Sequence, residues 1–310
     1  MERFNQLIEI MQGKKPGQGE DSFCFDCSPY PKADMISIFD GCGGSGAKRY
    51  EKIGNYTGAY HGSRIASGVV YDWFKEEFYE ENIQLWSEQI KEKLQNILKL
   101  YKKCDSSKIQ FKGNILKDFP TTMSGAIIFG APGDAKAHYM WAGDSKGYVM
   151  NYTGLHQVTV DDIKTGNDAM SNLTDDGILS NSISASGDFV INEKTIKLHD
   201  KSMVICASDG CFGYIESPIH FEYMLLRYLM ESTNLNEWKI KIVNRLTEIS
   251  GDDFSMLIYM YGFDSFADIQ KQMYQRCLYI DQEYIQKWSS LSEEERRTCW
   301  EKYDRELSSL

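Results

Sequence analysis

Three short apolar runs bounded by acids limit the possible folds of this chain more than any other feature. Met35-Ile-Ser-Ile-Phe39 leads into Asp40-Gly41, and Met203-Val-Ile-Cys-Ala207 leads through Ser208 into Asp209-Gly210. Asp252-Asp253 precedes the third run, Phe254 to Tyr261. Runs of this length and composition read as buried strands. A further pair, Met123 to Gly130 and Ala135 to Ala142, is split by Ala-Pro-Gly-Asp, which places Pro and Gly where a hairpin needs them. That pair reads as antiparallel, and in such a sheet an acid ending one strand and an acid opening the next share an edge.

Between the early and middle strands lie two helical patterns. Ile65, Ala66, Val69, Val70, Trp73 and Phe74 mark one, and Trp86, Ile90, Leu94, Ile97 and Tyr101 mark the other. Phe221 to Met230 and Trp238 to Ile249 are helical again. Strands, helices, strands and helices in that order describe an α+β chain and not βαβ alternation. The segment Asp161 to Gly187 turns polar and rich in Asn, Asp, Ser and Gly, and is expected to be a mobile surface insertion with the makings of a substrate flap.

After Tyr261 the character changes. Phe266, Ile269, Met273, Cys277, Ile280, Tyr284 and Trp288 form an apolar stripe at helical spacing, and Ser292-Glu-Glu-Glu295 is a capping box before Trp300, Tyr303 and Leu307. Residues 263–310 are expected to be a helical extension of a 1–262 domain. It either packs on that domain or serves as a docking or dimerisation element.

Composition narrows the function. With 34 Lys and Arg against 45 Asp and Glu, the net charge is −11, which disfavours a nucleic-acid role. No window approaches the ~20 apolar residues of a membrane span, and Met1 to Gln12 lacks a signal-peptide stretch. A cytoplasmic protein with its eight cysteines mostly reduced is the expectation. Cys24 and Cys27 have CxxC spacing but lie in an apparent strand, where residues three apart face opposite sides, and no second pair completes a zinc site. The five histidines are scattered. Gly41-Cys-Gly-Gly-Ser-Gly46 lacks the Gly-Lys-Ser/Thr ending of a nucleotide loop.

The acids carry the chemistry. Besides Asp40, Asp209 and Asp252-Asp253, Glu20-Asp21 stands just before the apparent strand Ser22 to Phe25, and Asp144 lies between two strands. Carboxylates packed together repel unless protons or divalent cations intervene, and oxygen-only ligation points to Mg²⁺ or Mn²⁺. A glycine beside an acid lets a backbone carbonyl approach a metal closely.

Read in order, Gly-Glu20-Asp21-Ser-Phe, Phe-Asp40-Gly41-Cys-Gly-Gly44, Pro-Thr121-Thr122-Met-Ser-Gly125, Ala-Gly-Asp144-Ser145, Val-Asp161-Asp162, Ser208-Asp209-Gly210 and Gly-Asp252-Asp253-Phe-Ser resemble the motifs of the metal-dependent, type 2C serine/threonine protein phosphatases. The similarity spans about residues 5 to 262. It implies a four-layer α-β-β-α sandwich, two central antiparallel sheets flanked by helices, with a two-metal site in the cleft at one end. By that resemblance Asp40 bridges both ions, the Gly41 carbonyl binds one, and Asp209 and Asp252 bind the other. Glu20 and Asp21 hold metal-bound waters, and Asp144 with Asp209 matches a weaker third site. The implied reaction is attack on phosphorus, in line, by a hydroxide bridging the ions, on phosphoserine or phosphothreonine of protein substrates, opposing a serine/threonine kinase.

Three positions depart from the family pattern. Asp253 stands where Asn is usual, which leaves open which of Asp252 and Asp253 ligates. Cys42 stands where many members carry a His that protonates the leaving group. The stretch Gly13-Lys14-Lys15-Pro16 replaces an Arg that grips phosphate, so Lys14 or Lys15 is left to do so as a point charge. A Cys-dependent phosphatase is disfavoured, since no phosphate-cradling loop ending in Arg follows Cys42. A two-metal phosphodiesterase or nuclease is disfavoured by charge and motif order. The alternative to the hydrolase is a pseudophosphatase, a phosphoprotein-binding or regulatory module.

Overall fold

A computed structural model of the chain describes residues 6–27, 33–104, 116–131, 133–163 and 179–307. The apolar runs fold as strands where the sequence places them. Along the chain these are β1 (Gln6–Gln12), β2 (Ser22–Asp26), β3 (Asp34–Phe39), the two-residue pair β4 (Arg49–Tyr50) and β5 (Tyr56–Thr57), and β6 (Met123–Phe129). They continue with β7 (Lys136–Ala142), β8 (Lys146–Asn151), β9 (Gly154–Gln157), β10 (Asn192–Lys197), β11 (Ser202–Ala207) and β12 (Phe254–Tyr261). One sheet has the order β1-β12-β11-β8-β9 and the second β10-β7-β6-β3-β2, with antiparallel pairing throughout.

Helices cover the outer face of each sheet. Thr57 caps α1 (Gly58–Glu77), which packs with α2 (Trp86–Cys104) on the second sheet. Ser217, followed by Pro218 at the first helical position, caps α3 (Pro218–Met230), and Asn234 caps α4 (Leu235–Ile249). These two lie on the first sheet. Side-chain alternation sorts each strand between two cores. Along β11, Met203, Ile205 and Ala207 face the helices, while Val204 and Cys206 face the opposite sheet. Along β3, Met35 and Phe39 face α1 and α2, while Ile36 and Ile38 turn inward. The result is a four-layer α-β-β-α sandwich of the α+β class.

The extension consists of α5 (Phe266–Ile280), a π-helical turn Asp281–Ile285, α6 (Gln286–Trp288) and α7 (Glu293–Leu307). Its capping box forms as read, with the Ser292 N–H donating to Glu295 Oε2 at 2.7 Å. Its apolar stripe is occupied from within. Ile269 and Met273 join the core beneath α3 and α4, and Ile280, Tyr284, Trp288 and Tyr303 close around Ile219 of α3. Arg276 lies buried in a two-pronged pair with Glu222 of α3, at 2.8 and 2.9 Å, and the Tyr303 hydroxyl donates to the same carboxylate at 2.6 Å. That stripe is therefore not a face left over for a partner.

The expectation of a mobile insertion over Asp161 to Gly187 needs correcting at its ends, while residues 164–178 lie outside the described residues. Ile183 is fully buried and exchanges backbone hydrogen bonds with Thr121, at 2.9 and 3.0 Å. Asp162 accepts the Gly143 N–H at 3.0 Å and the amides of Asn181 at 2.7 Å and Asn192 at 3.0 Å. An apolar residue and a multiply bonded acid fasten both ends to the β6–β7 edge, a tie that local polarity did not reveal. Among the described residues no helix is long and apolar enough to cross a membrane.

Candidate metal centre

Strand register brings the acids to one edge. β2 and β3 end on the pair Ser22 and Phe39, so one residue further Asp21 stands opposite Asp40. The Asp40 carbonyl is held by the Thr122 N–H at 2.8 Å and the Thr121 hydroxyl at 2.7 Å, which fixes the turn after β3. In the other sheet the terminal pairs are Ala207 with Lys146, Ala207 with Met256 and Gln12 with Phe254; Asp144, Asp209 and Asp253 lie within two residues of them.

A seryl hydroxyl stitches the two sheets together at this edge. Ser208 Oγ donates to Asp21 Oδ2 at 2.9 Å and accepts the Ser255 N–H at 2.8 Å. Asp253 makes a second tie, its Oδ1 accepting the Lys14 N–H and its Oδ2 the Glu20 N–H, both at 2.6 Å. The Glu20 carboxylate accepts the Thr57 hydroxyl, and its carbonyl accepts the Ser63 hydroxyl. Two glycines are obligatory. A Cβ on Gly210 would lie 1.9 Å from the Asp253 carbonyl oxygen, and one on Gly41 would lie 2.7 Å from that of Glu20.

The carboxyls feel one another. Asp21 is pushed up to about 7, first by burial and then by the charges of Asp209 and Asp253, against the pull of the Ser208 and Ser255 hydrogen bonds. Asp144 is pushed up to about 7 by lost hydration and then by Asp209. Asp40 is raised well above the usual carboxylate range by lost hydration, then by Asp21 and Asp209, with Asp144 adding. Glu20 is raised by lost hydration and by Asp253 and Asp252. Asp21 is buried, whereas Asp40, Asp144 and Asp209 are partly exposed and Asp252 is exposed, so the cluster opens to solvent.

A cluster of mutually repelling oxygens at a solvent-facing edge is the donor chemistry that hard divalent cations satisfy. Among the described residues no three carboxylate, imidazole or thiolate groups close on a single point. The carboxylates face one edge without being gathered on a single ion, so water would complete the shell of a hard octahedral ion such as Mg²⁺ or Mn²⁺ held there. The residues present fit such ions.

Two of the residues singled out from the sequence do other work here. Lys14 donates its ammonium to the Gly251 carbonyl and its N–H to Asp253, so it braces the Gly251–Asp253 turn; Lys15 is exposed. The Cys42 thiol is pushed up to about 12 by burial and then by Asp144, so it is neutral and a poor nucleophile. Cys24 is buried in β2, and Cys27 is exposed just past the end of that strand.

Sequence reasoning missed Arg64. Its guanidinium lies 3.5 Å over the Tyr60 ring and donates to the carbonyls of Gly19 at 2.9 Å and Glu20 at 3.3 Å, fastening the Glu20 turn to α1. Only its place one turn after Tyr60 on a helix could have suggested this. Ser208 was also missed as a positioning residue, although it sits inside the Ser-Asp-Gly motif. Lys146, buried and 3.2 Å from Asp161, brings an ammonium that lowers Asp144.

The same fold occurs in solved serine/threonine phosphatases. The S. agalactiae serine/threonine phosphatase superposes with a TM-score of 0.62 at 14% identity, over 83% of this chain and 99% of that one. Stp1 from Staphylococcus aureus gives 0.61 at 15% identity, over 84% and 95%. The catalytic domain of the phosphatase PstP, in complex with two manganese ions, gives 0.55 at 13% identity, over 83% and 98%. No protein-family profile and no curated protein matches the sequence.

Proposed function

We propose that this chain is a divalent-metal-dependent phosphatase acting on phosphoserine and phosphothreonine of proteins, opposing a serine/threonine kinase in the cytoplasm. The observation that carries the reading is the convergence of Asp21, Asp40, Asp144, Asp209 and the Asp252-Asp253 pair at one open edge of two facing antiparallel sheets. The shared fold with bacterial serine/threonine phosphatases, one of them holding two manganese ions, supports it. Seven free cysteines among the described residues accord with a reducing compartment.

In this reading Asp40, the Gly41 carbonyl, Asp209 and Asp252 would hold two Mg²⁺ or Mn²⁺ ions. Glu20 and Asp21 would hold the ions' water shell, and Asp144 with Asp209 would hold a weaker third ion. Asp252 is favoured over Asp253 as ligand because both Asp253 oxygens already accept backbone N–H groups. When bound, such ions supply activation of water and neutralise phosphoryl oxygens. The protein's own part is orientation. Ser208 fixes the Asp21 carboxyl, Arg64 and Thr57 fix Glu20, and Lys14 steadies the turn that carries Asp252. Cys42, a neutral thiol, is a weak proton donor, so alkyl phosphates with basic leaving groups should turn over more slowly than aryl phosphates.

The test is hydrolysis of p-nitrophenyl phosphate and of a phosphothreonine peptide with Mn²⁺, Mg²⁺ or EDTA, for wild type and Asp209→Ala. Metal-dependent turnover lost in the variant is expected. The second reading, a pseudophosphatase that binds phosphoproteins, is favoured by one observation: Lys14 is committed to Gly251, so the turn that replaces the phosphate-gripping Arg offers only Lys15. Mn²⁺ binding by calorimetry without turnover on either substrate would select it.

A further inference from the structure

Behind the Asp209 turn lies a pocket of about 560 Å³, formed where the extension meets α3 and α4. Its volume is that of a small-molecule site. Tyr214, Tyr223 and Tyr228 give it aromatic walls, Met224 and Ile249 an apolar floor, and Ile285 enters from the π-helical turn. Such turns interrupt a helix at some cost and occur often at functional sites.

Two guanidiniums reach the pocket, Arg227 from α3 and Arg245 from α4. Their carboxylate partners, Glu231 at 2.7 Å and Glu248 at 3.4 Å, are outside the lining. Both pairs are exposed, so each holds its arginine only weakly and yields readily to a better-placed anion. The acid that lines the pocket, Glu216, accepts from Trp288 Nε1 at 2.6 Å and Arg296 at 3.1 Å and stands 3.7 Å from His220, which also lines the pocket. In a chain of net charge −11 the lining holds two guanidiniums against one carboxylate, among aromatic rings.

We infer that this pocket binds a small organic anion with a flat apolar body, its charge on Arg227 and Arg245 and its ring among the tyrosines. Planar guanidiniums suit phosphate, sulfonate or carboxylate groups, and tyrosine faces suit a ring. The pocket also has a lever on the acid edge. The Tyr214 ring lies against Gly251, where a Cβ would meet it at 2.6 Å, and Gly251 precedes Asp252. An occupant packed on Tyr214 therefore stiffens the Gly251–Asp253 turn.

The experiment uses 1-anilinonaphthalene-8-sulfonate as probe on the full chain, with fluorescence titration and hydrogen exchange. Saturable binding at one site is expected, weakened about tenfold by Arg227→Gln or Arg245→Gln, the loss of one charge-assisted contact. Both residues are on the surface, so the variants should fold. Bound probe should also slow amide exchange over residues 250–254. Absent or multi-site binding, or binding unmoved by both substitutions, would overturn the pocket assignment. Arginine-dependent binding with exchange over 250–254 unchanged would overturn the link to the acid edge. Neither readout needs phosphatase activity.

Discussion

The Ser208 hydroxyl donates a hydrogen bond to Asp21 Oδ2 at 2.9 Å, and by that one bond the Asp209 turn of the first sheet is tied to the Asp21 turn of the second. The hydroxyl is fully buried and also receives the Ser255 N–H. Ser208→Ala removes one of the hydrogen bonds to the buried Asp21 carboxyl and takes the hydroxyl acceptor from the buried Ser255 N–H, which costs about 1–3 kcal/mol. Urea denaturation should register that loss, and a change within about 0.5 kcal/mol, the range of ordinary surface substitutions, would contradict the tie.

Stability of the metal-free protein should fall as pH rises. Asp21 and Asp144 are pushed up to about 7 from the ordinary carboxyl range near 4. Between those values the folded chain holds protons that the unfolded chain has released, so each unit of pH erodes stability. The loss is complete above about pH 7 and amounts to a few kcal/mol in order of magnitude. Melting in EDTA should therefore be higher at pH 6 than at pH 8, and Mn²⁺ should remove most of the difference by replacing the protons. Equal melting temperatures in EDTA would count against the acid cluster.

Asp40→Asn should separate folding from metal binding. It removes a carboxyl whose charged form is disfavoured by lost hydration and by Asp21 and Asp209, so the metal-free variant should melt no lower than wild type at pH 7.5. Its Mn²⁺-induced rise in melting temperature should vanish. A variant that is destabilised yet still binds Mn²⁺ with wild-type affinity would show that Asp40 is structural.

Asp252 and Asp253 should part company in the same assay. Asp253→Asn keeps one acceptor but turns an amide N–H towards a backbone N–H, at a cost of about 1–3 kcal/mol in folding with Mn²⁺ binding retained. Asp252→Asn should leave folding nearly unchanged and weaken Mn²⁺ at least about tenfold, read by calorimetry. The reverse pattern would make Asp253 the ligand.

Arg276→Met strands Glu222, which has no exposed surface, and should cost about 3–5 kcal/mol. Adding Glu222→Gln should restore part of it, because the uncompensated charge is then gone. Since this pair joins the extension to α3, wild type should unfold in one transition by calorimetry. Two transitions would mean that residues 263–310 fold as a separate unit.

Much of this was legible in residues 20–44 and 203–261, where short apolar runs ending in acids dictate both strands and their shared edge. Periodicity placed α1 to α5, and Ser292 with Glu295 announced α7. β1 and β10 were not visible: Gln6 to Gln12 and Asn192 to Lys197 sit at sheet edges, carry polar residues on one face and form through pairing with distant strands. The site residues that were named are those bearing charge. Ser208, Thr57 and Arg64 act through hydroxyl and guanidinium bonds to segments far along the chain, and no local pattern encodes such a partner. The bond of Lys14 to Gly251, 237 residues away, was hidden for the same reason.

The pairing of Gln6 with Met260 places the first described strand beside the last, with β12 between β1 and β11. On a ribosome, that sheet cannot close until the chain has been made through Tyr261 and cleared the exit tunnel. Contacts of such long sequence separation form late and slowly. The acid edge draws on residues from Glu20 to Asp253, so it has no partial form. A nascent or truncated chain carries its carboxylates scattered and presents no common acid edge.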